Sequence, residues 1–229
     1  MNSFNLEVKN YLAELNIREV VEIGDKFSEL LYDELSDRLA KFGITKPNTM
    51  ATTTKPVVKI RKQKQGFIKI SDIIQITDDQ IDSRSREILH QPNGSQKSPD
   101  ILIKYDGLSI KIEAKTSKNS KITWNGGLPE EDTIYIYNNY NSKIITYFLG
   151  SDVLTTNNRS LLRETHQATM KSKIVTETNS LLKNNGCNVE YYVRAMYVDK
   201  TNYENNTKRD EWRISVEKYL DNILNTQHT

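Results

Sequence analysis

Ser98-Pro99-Asp100-Ile101-Leu102-Ile103-Lys104-Tyr105-Asp106-Gly107-Leu108-Ser109-Ile110-Lys111-Ile112-Glu113-Ala114-Lys115 is the stretch on which the fold turns. Ile101–Tyr105 has the composition of a strand. Asp106-Gly107 is a strong two-residue hairpin turn. Leu108–Lys115 alternates apolar and polar residues, as a half-buried strand does. A period of two sends Glu113 and Lys115 to one face and Ile110, Ile112 and Ala114 to the other, toward a core. A tight hairpin pairs the start of its first strand with the end of its second. Asp100 is therefore expected close to Glu113 and Lys115.

Two carboxylates and an ammonium at one end of a hairpin can hold a divalent cation beside a polarised water, the equipment for cutting a phosphodiester bond. Pro99-Asp100 followed by Glu113-Ala114-Lys115 resembles the PD-(D/E)xK nuclease superfamily. The likeness is densest over residues 93–115 and continues loosely to about residue 154. The lead-in Gln91–Ser98, and Trp124–Pro129 followed by Thr133–Tyr137, are most similar to type II restriction endonucleases. The resemblance implies an α/β fold with a restriction-endonuclease-like core, a mixed central β-sheet flanked by α-helices. It implies Mg²⁺ held by Asp100, Glu113 and the Ala114 carbonyl, with Lys115 serving the attacking water. It also implies hydrolysis of both strands of duplex DNA to 5′-phosphate ends. A cognate DNA methyltransferase would then exist as a separate protein. A structure- or damage-directed nuclease, and a catalytically silent DNA-binding module of the same fold, stay open as alternatives. One site per chain and two strands to cut call for a homodimer with a two-fold axis.

Length fits one domain over residues 1–229, with an N-terminal helical segment at 1–46 and a linker at 47–56. No apolar run is long enough to span a membrane, and Met1–Glu7 lacks the basic start and apolar centre of a secretory signal. A cytoplasmic protein is expected. The lone Cys187 excludes an internal disulfide and a cysteine-based zinc site. A net charge of +2 neither favours nor forbids nucleic acid, since a basic face matters more than a basic average.

Helices are expected over 5–22 and 25–42, the second capped by Asp25, stopped by Gly43 and carrying Glu29 and Glu34. In many members of the superfamily an early helix lends a further acid, although here both glutamates read better as solvated charges. Val57–Ile70 looks like two short strands around a basic turn. Its Lys59, Arg61, Lys62 and Lys64 form the densest positive patch and are candidates for phosphate contact. Residues 78–90 are expected to be helical. They offer Arg84 and Arg86 to phosphates, Glu87 as an auxiliary catalytic acid, and His90 as a general base only should Lys115 not fill that role. The lean loop with Asn93, Ser95, Gln96 and Lys97, and the polar turn with Ser117, Lys118 and Asn119, are the candidate DNA-reading segments. Further strands are expected at 133–137, 143–149 and 189–198. Helices are expected at 159–184 and 211–224, with a flexible loop over 202–209.

Overall fold

The computed structural model describes residues 3–16, 20, 23–47, 85–94, 97–118, 121–125, 127–187, 189–193 and 195–225. Two N-terminal helices, α1 (Ser3–Leu15) and α2 (Asp25–Leu39), each bury an apolar stripe. On α2 the stripe is Phe27, Leu31, Leu35 and Leu39, one residue per turn. A 3-10 turn over Ala40–Phe42 follows, and Gly43 ends it with φ of 75°, a conformation that glycine adopts without a Cβ penalty.

The central sheet contains β1 (Arg86–His90), β2 (Ile101–Tyr105), β3 (Leu108–Ser117), β5 (Thr133–Asn139) and β6 (Ile144–Leu149), in the order β1-β2-β3-β5-β6. β1, β2 and β3 run antiparallel, β3 and β5 parallel, and β5 and β6 antiparallel. The sheet is therefore mixed, and helices flank it. Between β3 and β5 the short β4 (Thr123–Asn125) leaves the sheet to pair with β7 (Met196–Val198). The β2–β3 hairpin turns at Asp106 and Gly107, both with positive φ, as a two-residue primed turn requires.

Two cores follow from the strand period. On one face Ile88, Ile101, Ile103, Ile110, Ile112, Ile134 and Ile136 pack with α1, α2 and the C-terminal helix α6 (Asn206–Asn225). On the other face an aromatic cluster joins Trp124, Tyr135, Tyr137, Phe148, Tyr203 and Trp212. The rings of Tyr135 and Phe148 stack across β5 and β6 at 5.6 Å between centroids. α6 contributes to both, with Trp212 in the aromatic cluster and Val216 and Leu220 in the aliphatic one. All seven residues of β5 are buried, as suits a strand covered on both faces.

Several expectations are corrected. Residues 86–90 form β1 rather than the end of a helix. Their backbone pairs with β2, and Thr45 extends the edge through Thr45 N–H to the Arg86 carbonyl (3.1 Å) and Ile88 N–H to the Thr45 carbonyl (3.1 Å). Local helical pattern lost here to tertiary pairing. The first helix ends at Leu15, short of residue 22. The long helix expected at 159–184 is two, α4 (Thr156–Met170) and α5 (Lys173–Asn184), the second capped by Ser172, whose hydroxyl accepts the Val175 N–H. Among the described residues of 189–198 only β7 is a strand, and it is not buried on a face, since Met196 and Val198 are exposed. Tyr191 instead hydrogen-bonds to the Asn179 side chain of α5 through its N–H (2.6 Å) and carbonyl (3.1 Å). α6 begins at Asn206 inside the expected loop, with Asn205 accepting the Lys208 N–H as a cap. Among the described residues no helix is long and apolar enough to cross a membrane.

Gly150 opens the short helix α3 (Gly150–Val153) where the chain leaves β6. A Cβ at this position would lie 1.9 Å from the Glu130 carbonyl oxygen, a backbone atom that cannot swing away. Gly150→Ala should therefore destabilise the protein by about 3 kcal/mol or more, read from the denaturation midpoint.

Candidate active site

The β2–β3 hairpin delivers the three groups expected of it. Register places Ile101 opposite Ile112, so Asp100 comes beside Glu113 and Ala114 where the ladder between the two strands ends. The Ala114 N–H donates to Asp100 Oδ2 at 2.9 Å, and the Asp100 N–H donates to Glu113 Oε2 at 3.2 Å. The two carboxylates thus take over the backbone donors of each other's segments. Lys115, one period further along β3, donates from Nζ to Glu113 Oε1 at 2.7 Å. Its ammonium also lies 5.9 Å from the centre of the Trp124 ring, which fixes the side chain from the other side.

Neighbouring strands finish the floor. Glu113 pairs with Tyr135 and Lys115 with Tyr137 across the parallel β3–β5 ladder. The Tyr135 hydroxyl accepts the Glu130 N–H at 2.9 Å. Burial, and less so the charges of Glu113 and Glu130, hold its phenol well above the usual range, so it stays neutral at ordinary pH. The site therefore stands at the margin of the aromatic core, where water is partly excluded but the carboxylates remain within reach of a ligand.

Electrostatics mark Asp100 as short of positive charge. Burial first, and the nearby Glu113 carboxylate second, push the Asp100 carboxyl up to about 6. The Ala114 N–H and Lys115 pull in the opposite direction without cancelling the rise. Crowded, half-desolvated carboxylates of this kind are what a divalent cation relieves. The donor set fits Mg²⁺ by its chemistry: two hard carboxylates, Asp100 and Glu113, with the Ala114 carbonyl next along β3, all oxygen donors of the kind this cation prefers. Among the described residues no group of three or more His, Cys, Asp or Glu side chains is placed to share one ion. Two carboxylates are nevertheless the ordinary protein contribution to a Mg²⁺ site.

The auxiliary residues fare unevenly. Glu87 stands on β1, not on a helix, and pairs with Lys104 at 2.8 Å. Its register partner Lys104 is four residues beyond Asp100, roughly 13 Å along the strand, so the ion pair, not the site, accounts for Glu87. Arg86 is likewise engaged, gripping Asp106 through Nε and Nη2 at 2.7 Å each. His90 places Nε2 3.2 Å from the Ser28 hydroxyl and stacks on Tyr32, joining β1 to α2. Glu34 accepts from the Tyr11 hydroxyl, and Glu29 is exposed on α2. Asn93 donates to the Ser98 carbonyl at 2.9 Å and braces its own loop, while Lys97 and Lys118 are exposed. Ser117 hydrogen-bonds the Tyr137 side chain. Arg159 on α4 is buried and donates to the Leu154 carbonyl at 3.4 Å. Lys59, Arg61, Lys62, Lys64, Arg84, Ser95, Gln96 and Asn119 lie outside the described residues, as does the expected helical stretch before Ser85.

One acid escaped sequence reading. Asp25 does not cap α2. Gly24 occupies the cap, its N–H donating to the Thr116 hydroxyl at 3.1 Å. That bond docks the start of α2 against β3 directly after Lys115. The Asp25 charge is close enough to contribute to the rise at Asp100. An aspartate at a helix start is so common that nothing in the sequence singles it out.

No family model, no curated protein and no solved structure matches this chain.

Proposed function

We propose that the protein is a Mg²⁺-dependent endonuclease that hydrolyses both strands of duplex DNA at specific sequences, in the manner of a type II restriction enzyme. The observation that carries this reading is the convergence of Asp100, Glu113 and Lys115 at one end of the β2–β3 hairpin, held by contacts of 2.7 to 3.2 Å. Asp100 and Glu113, with the Ala114 carbonyl, would hold the cation. The bound cation supplies charge neutralisation at the scissile phosphate and a lowered pKa for water. Lys115 Nζ orients the attacking water and offsets charge that develops on the phosphoryl oxygens. Its bond to Glu113 and its place beside Trp124 hold the ammonium in position before DNA arrives. Asp25, carried to the site by the Gly24–Thr116 contact, adds outer-lying negative charge that favours the cation.

Two-strand cleavage implies a homodimer with paired sites. A restriction enzyme of this kind works beside a separate cognate methyltransferase that protects host DNA.

A plasmid assay tests the reading. Purified protein with Mg²⁺ should convert supercoiled DNA to linear fragments, and EDTA should stop it. Discrete bands from mixed DNA support sequence-specific cutting, whereas cleavage confined to branched DNA would replace that part of the reading with a junction-directed nuclease. Absence of any cleavage on either substrate, with Mg²⁺ or Mn²⁺, would refute it.

A further inference from the structure

Eight of the eleven large apolar side chains exposed among the described residues lie between Leu161 and Val198, the other three being Leu6, Ile23 and Ile214. They sit on α4, α5, the segment after α5 and β7. This layer is poorly anchored to the rest of the protein. Arg159 is the only buried residue described in α4, and Val175 the only one in α5. Helices of 15 and 12 residues draw most of their stability from a packed apolar face, and here that face is narrow: beside those two buried residues, the apolar side chains turned inward are the half-buried Leu162 and Met170 of α4 and Leu182 of α5. β4 and β7 form a sheet of only two strands, and Met196 and Val198 stand exposed on it.

The area suits a subunit interface. Eight such side chains, each 45–73% exposed, present on the order of 1,000 Å² together, against about 800 Å² per partner in a standard interface. The pattern on α5 indicates which partner. Ile174 and Leu181, 73% and 63% exposed, are one heptad apart and share a line along the helix. A two-fold axis through the point midway between them sets Ile174 of one copy against Leu181 of the other, and the reverse. Such a stripe is complementary to itself, which is the requirement of an isologous contact. We propose that α5 packs antiparallel on α5 of a second copy of this chain, with the exposed residues of α4 and β7 flanking that seam. The choice of a second copy rests in part on the nuclease reading, in which two strands require two sites.

Sedimentation of the full chain, without DNA or metal, tests the interface independently of cleavage. The wild-type protein should run as a dimer at micromolar concentration. Ile174→Glu with Leu181→Glu should weaken association by at least about 100-fold, because it opposes like charges across the seam. Ile174→Glu with Leu181→Lys should restore it, because the glutamate of each copy then faces the lysine of the other. Both positions are exposed in the monomer, so circular dichroism and melting of the dissociated variant should show an intact fold. A monomeric wild-type protein would overturn the proposal and assign the patch to a different partner. So would a Glu/Glu variant that stays dimeric, or a Glu/Lys variant no tighter than Glu/Glu. A dimer that behaves as described but cuts no DNA would sink the nuclease reading alone.

Discussion

Lys115→Ala should lower the rate of DNA cleavage by about 10²–10⁴-fold, the range spanned by a positioned proton-transfer or charge-stabilising group. Lys115 bonds Glu113 at 2.7 Å and approaches the Trp124 ring. The ammonium reaches only the rim of the aromatic core at Trp124, and the side chain is 30% exposed, so folding should be little affected. DNA affinity measured in EDTA should remain within a few-fold of wild type, because one ammonium among many basic groups adds little to backbone binding. The loss should therefore appear in the single-turnover rate constant, not in the amount of DNA bound. A variant that still cuts at a rate near wild type removes Lys115 from the chemistry.

The second large effect concerns Asp100 and separates stability from function. The folded protein raises its carboxyl from 3.8 to about 6, chiefly by burial and then by repulsion from Glu113. A carboxyl with a raised pKa holds its proton more tightly in the folded state than in the unfolded one. The folded state is thus unpenalised below about pH 4, loses stability as the pH climbs toward 6, and carries the full penalty above that. A shift of this size corresponds at most to about 3 kcal/mol, and partial solvent access reduces it to about 2 kcal/mol. Asp100→Asn removes the penalty and keeps an amide oxygen to accept the Ala114 N–H. The variant should melt higher than wild type at pH 7.5 in EDTA, and the two should converge near pH 4. Added Mg²⁺ should raise the melting temperature of wild type but not of the variant, since a ligand stabilises only the state that binds it. Cleavage by the variant should fall below detection. Equal Mg²⁺ stabilisation of both proteins would take Asp100 out of the metal site.

Both predictions rest on groups that local sequence already brought together. The turn chemistry of Asp106-Gly107 sets the register of the hairpin, and the register sets the distance from Asp100 to Glu113 and Lys115. Strand alternation likewise decided which residues of β3 enter the core, and the one-per-turn leucines decided the buried face of α2. These features depend on near neighbours, so a window of twenty residues contains them.

Misread elements depend on distant partners. Arg86–His90 has a composition that helix and strand both tolerate, and only pairing with β2 and Thr45 chooses the strand. Val189–Val193 has the composition of a buried strand, yet Asn179 of α5 captures its backbone at Tyr191, and Val189, Tyr191 and Tyr192 stay exposed. Asp25, not Glu87, comes near Asp100 for the same reason. Sequence proximity favoured Glu87, but strand register carried it to Lys104, while the Gly24–Thr116 contact brought Asp25 across from another element.

Sequence by itself determined the hairpin, its turn, its buried face and the acid–acid–lysine cluster, because backbone sterics and side-chain alternation act within a few residues. Tertiary structure alone decided the mixed strand order, the raised carboxyl at Asp100, the acid that joins it from α2 and the apolar face left open on α5. Each of those is a relation between segments far apart in the chain, set by which surfaces exclude water from one another.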